Sequence, residues 1–341
     1  MHYISGSTAD EVWAAAAKEL NDNSDLMLEE GRNGPVRELV HAGLSISDPR
    51  QRWVLSRHPA INPAFAIVEA FWILSGRNDA SLVNRWNPSL PKFAGQTATY
   101  DGAYGYRLRK HFGVDQVEQA IDALNSNSST RQVALQIWSA RDDLPFEDGR
   151  PRSLDVPCNA GSFLRVKHDA LHWLQVLRSN DLNRGTPYNF VQFTLLQEFI
   201  AGCLGIGLGG YTHICNSLHV YEADRETFSI AAGPTPRSCT SISLPRKEAF
   251  EALQDVEALL DRLSDPELDD RKIRVLIDDR LLPDGHQDLL LIAAADIARR
   301  NGWVDAQFAA ESGCNDPMLR AVWKRWCDRF SPAMRPEKVV F

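Results

Sequence analysis

Apolar residues recur at helical spacing between residues 8 and 21, behind Ser7 and Thr8, and the run breaks in GRNGPVREL, an arginine-rich stretch with Gly and Pro. That stretch reads as a loop suited to an anion. The segment AINPAFAIVEAFWILSG is apolar nearly all round, which predicts a buried helix starting after Pro63 and ending at Gly76. Its lone charge, Glu69, then needs a reason. NRWNPSLPKFAGQTATYDGAYGYRLR, dense in Pro, Gly, Asn and aromatics, predicts an ordered loop of the kind that lines sites, leading into a helix over VDQVEQAIDALNS.

Further on, RQVALQIWS and GSFLRVKHDALHWLQVLRSND alternate or run apolar in the manner of strands, with HDA as the turn of a hairpin. VQFTLLQEFIAGCLGI carries a strong helix pattern. GGYTHICNSLHVYEAD reads as a strand that gives way to helix around EADRE. From about residue 245 the pattern becomes charged and amphipathic, predicting helices over EAFEALQDVEALLDRL and HQDLLLIAAADIARRNG, separated by DPELDD and LLPDG. With no internal repeat, the pattern predicts a single α+β domain with a helical C-terminal part.

Composition adds limits. The chain of 341 residues, 44% hydrophobic and 24% charged, is long enough for a large core. A net charge of -8 and a pI near 5.6 argue against a surface that coats nucleic acid, and leave a small anion as the expected partner. There is no apolar run of membrane-spanning length, and the start MHYISGSTADEVW lacks signal-peptide order, so a cytoplasmic protein is expected. The six cysteines (158, 203, 215, 239, 314 and 327) show neither a C-x-x-C pair nor metal-ligand spacing, so thiol chemistry is expected and no metal.

Cys158 in DVPCNAG would mean little alone, since buried structural cysteines outnumber nucleophiles. Its company matters more. RSNDLNRGTPYN supplies a cation, a hydroxyl, a carboxylate and a side-chain amide in one compact segment, and THICNSLHVY adds two histidines and a tyrosine. A phosphorylated, hydrogen-bonding heterocycle needs that inventory. His213 reads as structural, the other five cysteines as core or incidental, and Trp53, Trp72, Trp138 and Trp173 as core.

RSNDLNRGTPYN, a helix, and then GGYTHICNSLHVY resemble the signature of the thymidylate synthase family. The resemblance extends to Pro157-Cys158, TRQVALQIWS, DGAYGYRLR, the helix bearing Glu69, and GRNG; it covers roughly residues 30 to 224. It implies the thymidylate synthase-like fold, a large mixed β-sheet backed by helices, with a divergent helical region over about 245–341. It also implies a homodimer, a pyrimidine nucleoside monophosphate as substrate and 5,10-methylene-tetrahydrofolate as co-substrate. Carried over, Cys158 attacks C6 of the pyrimidine, and covalent attachment splits one hard step into two. Arg178 and Ser179 hold the phosphate with Arg32 and with Arg131 of the other subunit. Asn189 reads N3 and the 4-position, and His219 and Tyr221 bind the sugar hydroxyl. Glu69 organises water and moves protons near C4 and C5, its apolar surroundings raising its pKa. Tyr104 assists proton removal at C5. Asp181 contacts the folate, with Phe93 and Gly185 on the cofactor side.

Departures from the synthases accompany these matches. Leu90 and Phe93 stand where synthases place tryptophans that guard the methylene intermediate. Asn159 replaces a histidine, Leu177 a glutamine, and Thr130-Arg131 a double arginine. The synthase C-terminal closing region is not recognisable in 245–341, despite the terminal KVVF. Together they resemble the pyrimidine nucleotide 5-hydroxymethylases of the family, which quench the methylene with water where a synthase uses hydride. Asn189 suits uracil, hence dUMP before dCMP or CMP. The alternatives are thymidylate synthesis and a catalytically inactive nucleotide binder.

Overall fold

The computed structural model describes residues 2–31, 33–225, 227–231, 233 and 235–330. Seven strands form one mixed sheet: β1 (His2–Gly6), β2 (Val36–Ile46), β3 (Ala134–Gln136), β4 (Asn159–Lys167), β5 (Ala170–Leu177), β6 (Asn180–Asp181) and β7 (Gly207–Tyr221). Their order is β1–β2–β7–β5–β4–β3, with β6 beside β7. The β1–β2, β5–β7 and β6–β7 pairs are parallel and the others antiparallel. The β4–β5 hairpin follows from its turn: His168 and Asp169 take φ of 52° and 53°, the left-handed pair that matches the twist of the flanking strands.

Helices α1 (Ala9–Asp22), α2 (Pro63–Leu74), α3 (Ala80–Trp86), α4 (Gln116–Ser126) and α5 (Thr186–Leu204) precede a C-terminal group. That group is α6 (Arg246–Ser264), α7 (Asp270–Asp278), α8 (Asp284–Asn301), α9 (Val304–Gly313) and α10 (Pro317–Asp328). Local chemistry sets the starts. Thr8 and Glu11 form a reciprocal capping box on α1, and the Asn62 side chain accepts from Phe65 N (3.1 Å) ahead of Pro63 on α2. Helix α2, apolar on all sides, is wedged between α5 and α8, each likewise buried around most of its circumference. Burial of α2 on both flanks fixes where Glu69 can point. Among the described residues no helix is long and apolar enough to cross a membrane.

Several expectations need correction. VREL, read as part of a loop, opens β2, and the N-terminal HYISG is edge strand β1. Of RQVALQIWS only Ala134–Gln136 is regular strand: Arg131 and Gln132 lie exposed before it, and past it the Ile137 and Trp138 N–H groups both turn to the Ala160 carbonyl. The helix expected around EADRE is a single 3₁₀ turn, Glu222–Asp224. Between the two expected C-terminal helices lies α7, and α9 and α10 follow them. Trp53, Trp72 and Trp173 are buried, but Trp138 is half-buried and faces the Arg178 guanidinium at 5.7 Å.

Candidate active site

The end of the β4–β5 hairpin, the β6–β7 pairing and the α2–α5 contact converge on one cavity of about 660 Å³. Cys158 immediately precedes β4, and its carbonyl accepts from Arg178 N (2.9 Å), extending the hairpin by one rung. The hairpin therefore holds thiol and guanidinium together: Arg178 Nη2 lies 3.8 Å from Cys158 Sγ. Arg178 is itself docked, donating from Nε to Pro157 O (3.0 Å) and from Nη2 to Val156 O (3.1 Å).

Beyond Arg178 the chain continues through Ser179 into β6, where Asp181 is registered against His219 of β7. Ser179 Oγ and Ser217 Oγ each lie 3.5 Å from His219 Nδ1, and the His219 and Tyr221 rings meet edge-on at 5.4 Å. Burial depresses the His219 pKa, which favours a neutral imidazole able to donate and accept. Asp181 Oδ1 accepts the backbone N–H groups of Asn183 (2.8 Å) and Arg184 (3.0 Å), closing the turn that leads to Gly185 and α5.

Helix α5 then lays Tyr188, Asn189 and Gln192 along the cavity. Asn189 Oδ1 accepts from Asn180 Nδ2 (2.7 Å), Asn189 Nδ2 donates to Gln192 Oε1 (2.8 Å), and Gln192 Nε2 donates to Glu69 Oε2 (2.5 Å). Thr186 Oγ1 donates to Asn180 Oδ1 at the far end. Asn189 keeps one free N–H and one free lone pair for a ligand. Burial pushes the Glu69 carboxyl up to about 7, opposed by the Gln192 bond. Tyr104, from a short helical turn at Tyr104–Tyr106, reaches the same wall; burial first, then Cys158, pushes its phenol pKa well up.

Among the expected site residues, Cys158, Glu69, Tyr104, Asn189, Arg178, Ser179, His219, Tyr221, Asp181, Phe93 and Gly185 all line this cavity. Arg131 does not; it is exposed and outside the cavity of its own chain. Arg32 and KVVF lie outside the described residues, although Gly31 and Asn33 border the cavity. His213 is buried, with Tyr211 Oη 3.0 Å from its Nδ1, and burial drives its pKa down to about 3, which suits a structural role. Burial raises the thiols of Cys203, Cys314 and Cys327 to about 11, 12 and 12, which leaves them inert near neutrality. No group of three or more potential metal ligands occurs among the described residues.

Some cavity residues escape sequence reasoning. Gln192 could have been found, since it lies three positions past Asn189 on one helix face. Asn180 is inside the quoted motif, yet nothing in its identity says that it turns toward α5. Asp155, whose carboxylate accepts from Gly102 N (2.7 Å), and Arg57, a buried guanidinium lowered to about 10 by burial, carry no local signal.

The cavity pairs a thiol with a guanidinium, opposite an amide and a carboxyl whose pKa is raised by burial, a set of groups chemically suited to nucleophilic attack beside a bound anion. The chain belongs to the thymidylate synthase family: the family model described as thymidylate synthase matches residues 40–269. The chain is similar to the deoxyuridylate hydroxymethyltransferase of Pseudomonas phage M6, 34% identical over 196 residues, 57% of this chain and 54% of that protein. It is 26% identical to the Bacillus phage SP01 protein of the same name over 272 residues, 76% of this chain and 68% of that one. A thymidylate synthase of Clostridium beijerinckii is 28% identical over 159 residues, 46% of this chain and 57% of that protein. The match thus spans only about half the length of the M6 relative.

Proposed function

We propose that the protein is a folate-dependent one-carbon transferase that hydroxymethylates C5 of a pyrimidine nucleoside monophosphate, with dUMP as the favoured substrate. The observation that carries this reading is the Cys158 thiol 3.8 Å from the Arg178 guanidinium, in a cavity whose other wall is the Asn189–Gln192–Glu69 chain. Cys158 attacks C6, and the electron pair of the C5–C6 double bond moves into an enolate spanning C5 and O4. C5 then takes the methylene from methylene-tetrahydrofolate. Tyr104 and Glu69 assist loss of the C5 proton, and tetrahydrofolate leaves. Water adds to the exocyclic carbon, thiolate departs, and the product is the 5-hydroxymethyl nucleotide. Arg178 and Ser179 serve the phosphate, His219 and Tyr221 the sugar, and Asp181, Phe93 and Gly185 the folate side.

Hydration is favoured over hydride reduction because Leu90 and Phe93 line the cavity where synthases carry tryptophan, and Phe93 is 50% exposed, an open rim that admits water. The name of the phage relatives supports the same choice. A homodimer that shares Arg131 belongs to this reading, supported by the half-exposed apolar residues of the outward sheet face and by the place of Arg131 outside the lining of its own cavity.

Incubation with methylene-tetrahydrofolate and, separately, dUMP, dCMP, UMP and CMP, followed by mass spectrometry, tests the proposal. A gain of CH2O on dUMP is expected. A gain of CH2 with formation of dihydrofolate would make the protein a synthase, and absence of any product together with absence of a Cys158 adduct with a 5-fluoropyrimidine deoxynucleotide would leave a binder.

A further inference from the structure

Five side chains form an unbroken relay across the cavity wall, from the Thr186 hydroxyl through Asn180, Asn189 and Gln192 to Glu69. Three of its members are carboxamides, each of which can turn end for end without changing shape, so its direction is decided by its termini. An ionised Glu69 can only accept. Gln192 must then offer its NH2 group to Glu69 and its oxygen to Asn189, which in turn must face Gln192 with its NH2 group and Asn180 with its oxygen. That is the direction observed.

The other terminus permits the reverse. Thr186 Oγ1 lies 3.2 Å from the Asp181 carbonyl as well as beside Asn180, so its one proton can go to either acceptor. Once Glu69 is protonated its O–H can donate to Gln192, and every amide in the row can turn, with Thr186 accepting from Asn180 and donating to Asp181 O. No relay member carries a buried polar atom without a partner in the observed direction, and the reversed direction satisfies the same atoms.

The geometry points to Gln192 as a positioning residue that makes the donor–acceptor face of Asn189, and with it the choice between a 4-keto and a 4-amino pyrimidine, depend on whether Glu69 carries a proton. This rests on the proposed role of Asn189 in reading the base, with the 4-position on the Glu69 side. In the observed direction the Asn189 NH2 group lies toward Glu69 and meets a carbonyl at the 4-position, while its oxygen is free to accept from N3–H, the pattern of uracil. The reversed direction presents the pattern of cytosine. Glu69 is suited to control the row because it titrates near neutrality, at about 7. The groups that face it are Gln192 and Tyr188 from α5 and Tyr104 from the 104–106 turn. Both phenols are raised by burial and neutral, and Cys158 and Asp155 line the same cavity. No described cation lies within ion-pair distance of its carboxylate to hold it ionised.

Calorimetric binding of dUMP and dCMP to the full chain between about pH 8.5 and about pH 5.5 tests the relay. The phosphate ionises alike in both nucleotides and cancels in the ratio of their affinities. The dUMP/dCMP ratio is expected to fall about tenfold as the pH drops through the Glu69 transition, roughly one hydrogen bond exchanged for its opposite. Gln192→Met, which keeps length and volume, should give a lower ratio that no longer changes with pH. Asn180→Asp places an obligate acceptor at the other end, forces the Asn189 NH2 group toward residue 180, and should move the preference to dCMP. A wild-type ratio that is flat with pH, or a Gln192→Met or Asn180→Asp protein that keeps the wild-type ratio and its pH dependence, overturns the relay while leaving the site intact. Failure of the wild-type protein to bind either nucleotide overturns the reading of the site and the relay with it.

Discussion

Glu69 shows what a carboxyl held among apolar helices costs. Its carboxyl sits in α2, a helix otherwise buried against α5 and α8, and burial raises its pKa from 4.5 to about 7. A raised acid pKa means that the folded state prefers the neutral form. Ionisation therefore weakens the fold progressively as pH rises from about 4.5 to about 7, and the penalty is constant above that window. Glu69→Gln removes the charge and keeps a group that Gln192 can bond. The variant should be more stable than the wild type by on the order of 2 kcal/mol at about pH 8, with the difference vanishing at about pH 4.5. Urea unfolding of the two proteins at both values measures it, and an equal effect at the two pH values would show that packing rather than charge is responsible. Activity should fall in the same variant, since a carboxamide cannot take up the C5 proton.

At the scale of elements, the approach of the 104–106 turn to α2 sets the position of Tyr104. Gly105 makes it possible: a Cβ there would lie 2.2 Å from Ile73 O and 2.5 Å from Ile73 Cα, both backbone atoms that cannot move aside. Gly105→Ala should therefore lift the turn off α2, cost about 2–4 kcal/mol in unfolding free energy, and lower the rate of product formation in the protein that remains folded. Denaturation midpoints and steady-state kinetics read the two effects. A variant that unfolds like the wild type would mean that the turn packs more loosely than this contact implies. The same scale shows what the sequence could reveal. Buried helices such as α2 and α5 announce themselves by unbroken apolar runs, and the β4–β5 hairpin by a polar His168-Asp169 pair between alternating strands. Strand β2 was hidden because VREL follows Gly34-Pro35 and carries two charges in succession, the half-buried Arg37 and Glu38, where an apolar alternation would mark a strand. Helix α7 was hidden inside an acidic stretch that resembles a linker, where Asp269 in fact caps the helix by accepting from Lys272 N (2.8 Å). The thiol, the guanidinium and the amide that meet in the cavity, Cys158, Arg178 and Asn189, were legible because they fall in compact motifs. The Asn180–Asn189–Gln192–Glu69 row was not, since its ends are more than a hundred residues apart and only the packing of α2 on α5 joins them.

The whole molecule divides its labour between the sheet and the C-terminal helices. Every described residue lining the cavity precedes residue 222, while α8 packs behind α2 and Arg325 and Arg329 of the last helical segment bond the carbonyls of Leu55 and Ala60. The described part of the C-terminal third therefore buttresses the wall that carries Glu69 and leaves the cavity mouth uncovered. Among the described residues the outward sheet face is also uncovered: Phe163 of β4 pairs with Leu174 of β5, Val176 of β5 pairs with Ile214 of β7, and all four remain exposed or half-exposed. In the proposed dimer a second copy covers this face and supplies its Arg131 to the neighbouring cavity, where a second guanidinium suits a phosphate dianion. Two outcomes are expected of the proposed dimer. Ile214→Glu should convert a dimer to a monomer by light scattering, with loss of turnover even though Cys158 is untouched. Cys158→Ala and Arg131→Ala proteins, each inactive or nearly so alone, should regain activity when mixed and allowed to exchange subunits, because the mixed dimer contains one cavity with both residues intact. Mixing without recovery, in a sample shown to have exchanged, would mean that Arg131 does not act across the interface and that each cavity holds its phosphate with the arginines of its own chain.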